Sequence, residues 1–265
     1  SRLMRTRERI GVGDALMLLP ALFIGLFFLF PVGTVLWRGL GGEGLDAVFD
    51  LAKSPRQRDV LWFTFWQAAV STALTVAVAL PAAATVGGLS DRARRFVRSL
   101  VTVPFVLPTV VVAGAFDELF FATGLDTGDF RLRHTVWAIL IAHVFFNYAV
   151  VVRVVGTACA GLDGRQAEAA RVLGATRWQA WRAVTLPRLR PAIASASAIV
   201  FLFSFTSFGA VLILGGPKRA TLETEIYRYA VSRTDLTRAA ALAVVQLVAV
   251  LALVAVSTWL EGRRP

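Results

Sequence analysis

Six long apolar segments constrain the fold of this chain more than any other feature. They lie at about 15–37, 60–86, 100–121, 135–155, 192–214 and 239–260. A helix needs about 20 mostly apolar residues to cross a bilayer, and each segment reaches that length. The apolar runs are continuous and do not alternate with period two, which favours helices over barrel strands. The sequence therefore predicts an all-α membrane protein with six spans.

The composition agrees with a membrane protein. Of the 265 residues, 57% are hydrophobic and 17% are charged, whereas soluble domains have about 45–50% apolar and about 25% charged residues. This balance argues against a soluble enzyme and against a disordered chain. The one cysteine, Cys159, excludes an intramolecular disulfide framework and a Cys-rich metal site. No residue pattern indicates a metal site of another kind.

The distribution of basic residues predicts the orientation. Six spans place both termini on one side, together with the loops at 88–99 and 157–190. That side carries 16 Lys and Arg residues and the other side carries 11. The formal net charge of the whole chain is +11. An excess of Lys and Arg marks the cytoplasmic side. We therefore expect a multi-pass protein of the bacterial cytoplasmic (inner) membrane with both termini in the cytoplasm. The positive charge is explained by the lipid bilayer and not by nucleic acid.

The segment 161–191, between the fourth and fifth spans, is too long for a tight connection between neighbouring helices. Residues 165–172 are good helix formers, and Gly174 suits a helix stop. A second short helix is expected at 176–185, with its end at Pro187. Such an elbow either rests on lipid headgroups as an interfacial helix pair or docks a cytoplasmic partner.

The elbow also carries residues at fixed spacing. A Glu-Ala-Ala triplet is followed by Gly after three residues, by Val after nine more, and then by Leu-Pro after one. The pattern resembles the EAA motif of bacterial ABC importer permeases, the binding-protein-dependent transport inner membrane components, with Val in place of Ile. The matching residues are Glu168, Ala169, Ala170, Gly174, Val184, Leu186 and Pro187. Two further stretches, 141–147 and 205–227, resemble the thiamine and ferric-iron branch of these permeases.

This resemblance implies a six-helix bundle of the type I ABC importer permease kind, with cytoplasmic coupling helices, in a single domain over 1–265. Fused duplicates are common in that branch, and this chain resembles the first half of one. The elbow residues would dock a dimer of cytoplasmic ABC ATPases. A second permease half or subunit and an extracytoplasmic solute-binding protein would complete the importer.

The chemistry of such an importer would lie outside this chain. ATP and Mg would bind to the partner ATPases, so we expect no cofactor here and no enzyme. The absence of a Gly-x4-Gly-Lys-[Ser/Thr] phosphate loop from the sequence agrees with this. Within that family branch, the solute is expected to be ferric iron or thiamine, moved by alternating access.

The sequence indicates the path of the solute less clearly than it indicates the elbow. Aromatic and hydroxyl side chains alternate in the fifth span, and an amide lies within the fourth. These would line a gate or a path, or else pack and bond to their own backbone. The candidates are Asn147, Ser204, Phe205, Thr206, Ser207 and Phe208. His134 and His143 are interpreted as packing residues, and Asp117 as a partner of Arg131 or Arg133.

A secondary, ion-coupled transporter or a channel is the alternative function, because six spans alone would allow it. Such carriers usually have carboxylates in the middle of the membrane. Here Asp14, Asp117 and Glu118 all lie near span ends, and the elbow would have no purpose. An intramembrane enzyme is a third possibility, but no plausible catalytic pair supports it.

Overall fold

The computed structural model describes residues 19–126 and 131–262 of the chain. Within these ranges the regular structure is entirely helical. Residues 15–18, the expected start of the first span, lie outside the described part. So do the basic residues of both termini, on which the predicted orientation partly depends.

The helices follow one another with short connections. In chain order they are α1 (Leu19–Leu40), α2 (Gly42–Lys53), α3 (Pro55–Gly87), α4 (Asp91–Val106), α5 (Thr109–Ala122), α6 (Val136–Ala160), α7 (Arg165–Val172), α8 (Arg177–Phe205), α9 (Gly209–Leu214), α10 (Leu222–Tyr227) and α11 (Leu236–Gly262). The described part contains three wide π-type turns, at Gly25–Leu29 in α1, at Trp181–Thr185 in α8 and at Arg228–Ser232 directly after α10.

Five of these helices, α1, α3, α6, α8 and α11, are long and apolar enough to cross a membrane. The consecutive helices α4 and α5 form a sixth span if they are taken together, although they meet at 90°. The third predicted span, 100–121, is therefore not one straight helix. Leu107 is extended, with φ −68° and ψ 142°, because the ring of Pro108 disfavours a helical residue before it.

The fifth predicted span, 192–214, also differs from the expectation. Its helix, α8, already begins at Arg177 and ends at Phe205, and α9 resumes at Gly209. The helix end predicted at Pro187 is wrong, since α8 runs through it. Because the π-type turn ends just before, Pro187 falls in the first turn of the α-helical stretch that follows. A proline is tolerated there, where its missing N–H is not needed.

The centre of the bundle is the contact between α3 and α6, and α8 packs against both. Small residues allow the close approach. Ala79 and Ala83 of α3 are fully buried, beside Val152 and Val155 of α6. On the periphery, α1 and α2 pack against α11. The elbow, α7 with the first turns of α8, lies at the end of the bundle where α3 and α6 finish.

Candidate functional site

The elbow turns sharply between α7 and α8. Gly174 has a φ of +95°, a conformation that residues with a Cβ rarely adopt. Its N–H donates to the Arg171 carbonyl, and the N–H of Ala175 donates to the Ala170 carbonyl. These two bonds form a Schellman motif, which satisfies the last carbonyls of α7. The expected helix stop at Gly174 is confirmed by this geometry.

The second arm of the elbow is fixed at its start by a capping box. The Thr176 hydroxyl accepts from the Gln179 N–H, and the Gln179 side chain accepts from the Thr176 N–H. Trp178, in this first turn, stacks on Trp181, with ring centroids 5.1 Å apart. The arm then continues without interruption into the membrane-spanning part of α8.

The tip of the elbow is apolar and faces outwards. Val172 and Leu173 are 88% and 89% exposed, and Trp178 is 64% exposed. Glu168 lies in the first turn of α7, where a carboxylate is favoured by the helix dipole. It is exposed, and in the part of the chain that the structure describes its carboxylate has no hydrogen-bond or ion-pair partner. Ala169, beside it, is exposed as well.

The later motif residues face the bundle. Val184 lines a cavity of about 220 Å³ between the elbow and the ends of α3 and α6. Leu186 and Pro187 are half-buried where α8 enters the bundle. Arg188 donates to the side chain of Gln166 over 2.8 Å and so ties the two arms together. The motif thus divides into an exposed tip and a part that joins the tip to the bundle.

The residues predicted to line the solute path surround the break in the fifth span. Ser204 and Phe205 are fully buried at the end of α8, and Asn147 of α6 is 4% exposed. The amide of Asn147 donates to the Ser204 hydroxyl over 3.3 Å. Thr206, Ser207 and Phe208 form the non-helical segment and are half-buried.

A polar contact across this break was missed by the sequence interpretation. His143, taken there as a packing residue, is 2% exposed. Its Nδ1 lies 2.9 Å from the Ser71 Oγ of α3, and its Nε2 lies 2.8 Å from the Ser207 Oγ.

A signal for this contact was present in the second span. Thr64, Gln67, Ser71 and Thr75 recur at helical spacing and are all fully buried in the structure. Residues three and four apart share a helix face, so they form one polar stripe along α3. In lipid, a stripe of this kind must find partners inside the protein.

An open groove lies where α4, α6 and α8 meet, with a volume of about 1150 Å³. Its walls are mostly apolar, with Phe105 of α4 and Phe203 of α8 in contact across it. Arg153 of α6 is the one charged residue among the described residues that line the groove. It is exposed, two turns before the end of α6.

At the end of the bundle opposite the elbow, the pairing predicted for Asp117 is confirmed. Arg133 donates from Nε and Nη2 to the two carboxylate oxygens of Asp117, each over 2.7 Å. Arg219 reaches across to the His134 carbonyl over 2.7 Å. These contacts fasten the segment before α6 to α5 and to the turn that follows α9.

Comparison with known proteins identifies the family. The family model of the binding-protein-dependent transport system inner membrane component matches residues 79–264. The thiamine transport system permease protein ThiP of Salmonella typhimurium is 32% identical over 207 residues, which are 75% of this chain and 39% of that protein. The sulfate transport system permease protein CysT of Escherichia coli is 36% identical over 128 residues, 46% of each chain. The chain spans about two fifths of the length of the thiamine permeases that it matches.

Solved structures share the fold. A bacterial ABC transporter that imports the acidic polysaccharide alginate has a TM-score of 0.74 at 21% identity, with 94% of each chain covered. The MetNI methionine ABC transporter has a TM-score of 0.60 at 19% identity, covering 78% of this chain and 97% of that one. Identities this low establish the fold alone, which is that of ABC importer permeases, as the sequence predicted. Together with the family match, they confirm the resemblance found in the EAA motif: the chain belongs to the binding-protein-dependent transport system inner membrane components.

Proposed function

We propose that the chain is a membrane-spanning permease unit of an ATP-driven importer for a small solute. The observation that carries this proposal is the elbow, which presents an exposed apolar tip at one end of a bundle of the importer fold. An exposed apolar patch of this kind marks an interaction site. The chain itself would perform no chemistry, and ATP with Mg would be bound by a pair of ABC ATPases.

The elbow suits docking to such ATPases for two reasons. Val172 and Leu173 are almost fully exposed, so they are available to a hydrophobic pocket of a partner. Gly174 has no heavy atom within 4 Å of where its Cβ would be, so a partner can approach its backbone closely. The elbow end, with both termini, would face the cytoplasm, as the basic residues of the sequence predict.

The continuity of α8 supports a mechanical link between the ATPases and the path. Because α8 runs from the elbow at Arg177 to the break after Phe205, a displacement of the elbow would tilt this span as one body. When the ATPases close on ATP, two elbows would approach each other and the bundle would pass from inward-open to outward-open. Alternating access of this kind needs two arrangements of similar free energy, biased by the nucleotide.

We assign one wall of the solute path to the open groove between α4, α6 and α8, which a second permease half or subunit would cover. The candidates Thr206, Ser207 and Phe208 lie at the break beside it and keep their proposed role at a gate. Asn147, Ser204 and Phe205 are buried within this chain in the present conformation. They would contact solute only after α8 has moved.

Thiamine is the proposed solute, because thiamine permeases are among the relatives that cover three quarters of this chain. Ferric iron, the other solute of the predicted branch, is compatible with the same fold. A solute-binding protein would deliver either solute at the end of the bundle opposite the elbow.

Solute-dependent ATP hydrolysis tests this proposal. The complete transporter is reconstituted in lipid with its ATPase, and thiamine or ferric iron is supplied on its binding protein. The variant Glu168→Ala with Gly174→Asp should lose ATPase association, because an Asp at φ +95° is strained and blocks the close approach. Gly164→Asp is the matched control, since Gly164 caps α7 with open space around it and Asp is favoured at that position. Uptake without any ATPase would instead favour an ion-coupled carrier.

A further inference from the structure

We propose that His143 is a positioning residue for transport: it holds the break in the fifth span against α3 and α6, so that α8 pivots there when the elbow moves. This inference rests on the proposed function, because the pivot matters only if the elbow is driven by ATPases. The contacts of His143 with Ser71 and Ser207 are themselves a property of this chain.

His143 joins three segments that are far apart in sequence. Its ring lies on α6, one nitrogen contacts Ser71 of α3 and the other contacts Ser207 in the break. A neutral imidazole has one donor and one acceptor nitrogen, and a serine hydroxyl can do both. The chain Ser71–His143–Ser207 is therefore satisfied with either tautomer. No water is needed to complete it.

A break inside a span leaves backbone groups without helical partners, and lipid offers none. Here side chains from other elements supply them. The amide of Gln67 donates to the Ser204 carbonyl over 2.8 Å, and the Thr221 hydroxyl donates to the Ser207 carbonyl over 3.5 Å. With His143 on the Ser207 hydroxyl, the break is bonded from three directions. It is a defined element of the fold and not a frayed helix end.

The two sides of the break are attached to different parts of the molecule. On one side, α8 continues into the elbow. On the other, α9 is packed against α5 and α6, so closely that a Cβ on Gly209 would lie 2.6 Å from the Thr109 Oγ1. A force on the elbow therefore acts on α8 while α9 stays in place. The segment between them is the pivot, and His143 fixes it to the α3–α6 core.

Two conservative variants separate the two bonds of His143. An Asn amide at this position lies close to where Nδ1 was, so His143→Asn keeps the Ser71 contact and loses the Ser207 contact. A Gln amide reaches the position of Nε2, so His143→Gln keeps the Ser207 contact and loses the other. If His143 acts through Ser207, the Gln variant retains function and the Asn variant does not. If His143 only filled space, the Asn and Gln variants would have the same effect on function.

The first readout is the number of thiamine molecules imported per ATP hydrolysed by the complete transporter in proteoliposomes. His143→Asn and Ser207→Ala should each lower this ratio about fivefold, the factor that corresponds to one net hydrogen bond. The double variant should be no worse than either single one. His143→Gln should stay within about twofold of the wild type.

The second readout is hydrogen exchange of the backbone amides at 205–210 in the same complex in lipid. His143→Asn and Ser207→Ala should raise exchange there about fivefold, and His143→Gln should not. Equal effects of Asn and Gln on either readout would overturn the proposal, as would faster exchange with an unchanged import ratio. If the wild type does not couple ATP hydrolysis to uptake, the proposed importer function fails. The exchange rates at 205–210 then still decide whether His143 holds the break in place.

Discussion

The side-chain amide of Gln67 donates to the backbone carbonyl of Ser204 over 2.8 Å, at the turn where the helical bonding of α8 stops. In a continuous helix that carbonyl would accept from the N–H four residues later. The break removes this donor, and a side chain 137 residues away in sequence replaces it. Gln67 also donates to the Thr64 carbonyl of its own helix over 3.1 Å. The fully buried side-chain amide of Gln67 thus replaces a backbone hydrogen-bond donor that the break removes.

Replacing Gln67 by Leu should destabilise the chain by about 1–2 kcal/mol. The Ser204 carbonyl would be left buried without its donor, which costs about 1–3 kcal/mol. The Leu variant also removes the Gln67 Oε1, a buried acceptor without a partner among the described residues, and this offsets part of the loss. The free energy of unfolding in mixed detergent micelles measures the effect.

Two further variants control that measurement. Gln67→Glu should be worse than Leu, because an ionised carboxylate has no donor for the two carbonyls and is itself buried. Thr72→Val removes a hydroxyl that donates only to the Ala68 carbonyl of its own helix and should change stability by less than about 0.5 kcal/mol. If Gln67→Leu and Thr72→Val change the free energy of unfolding equally, Gln67 does not stabilise the break.

The contact between α9 and α5 depends on Gly209. A Cβ at this residue would lie 2.6 Å from the Thr109 Oγ1 and 2.9 Å from the Val110 Cγ2. Gly209→Ala should therefore force the helices apart and destabilise the chain by about 1–3 kcal/mol, as overpacking does. Gly114→Ala on α5 is the matched control, because nothing lies within 4 Å of its Cβ position. A Gly209→Ala chain as stable as this control would show that α9 can shift without cost.

Local patterns in the sequence were enough to predict the first, second, fourth and sixth spans as single helices, the stop at Gly174, and the pairing of Asp117 with Arg131 or Arg133, of which the structure has Arg133. Each depends on residues close in sequence or on apolar length. The break at 206–208 was not predicted, because it contains no Pro or Gly and is stabilised by Gln67 and His143 from other spans. The helix end predicted at Pro187 was wrong for a related reason. A π-type turn placed it at the start of an α-helical stretch, and nothing in the local sequence indicated that turn.

The ion pair of Asp117 with Arg133 should keep the segment before α6 in place. Arg133→Gln removes both 2.7 Å bonds, so hydrogen exchange at 123–126 and 131–135 should rise. Exchange in the core of α6, at 142–152, should not change. Arg131→Gln is the matched control, because Arg131 is exposed and has no ion pair among the described residues. Equal exchange in the two variants would mean that the turn is held by its backbone bonds alone.

If an ABC ATPase docks at the elbow as proposed, the exposed tip should contribute a large part of its affinity. Val172→Ser with Leu173→Ser should weaken ATPase binding at least about tenfold, because burying two such side chains contributes more than 1.4 kcal/mol. The stability of the chain should stay within about 0.5 kcal/mol, since both residues are almost fully exposed. Val231→Ser with Leu236→Ser makes the same kind of change at the opposite end of the bundle, where the side chains are 58% and 50% exposed. Binding of the purified ATPase to the chain in nanodiscs separates the two pairs, and an equal loss in both would mean that the elbow tip is not the docking site.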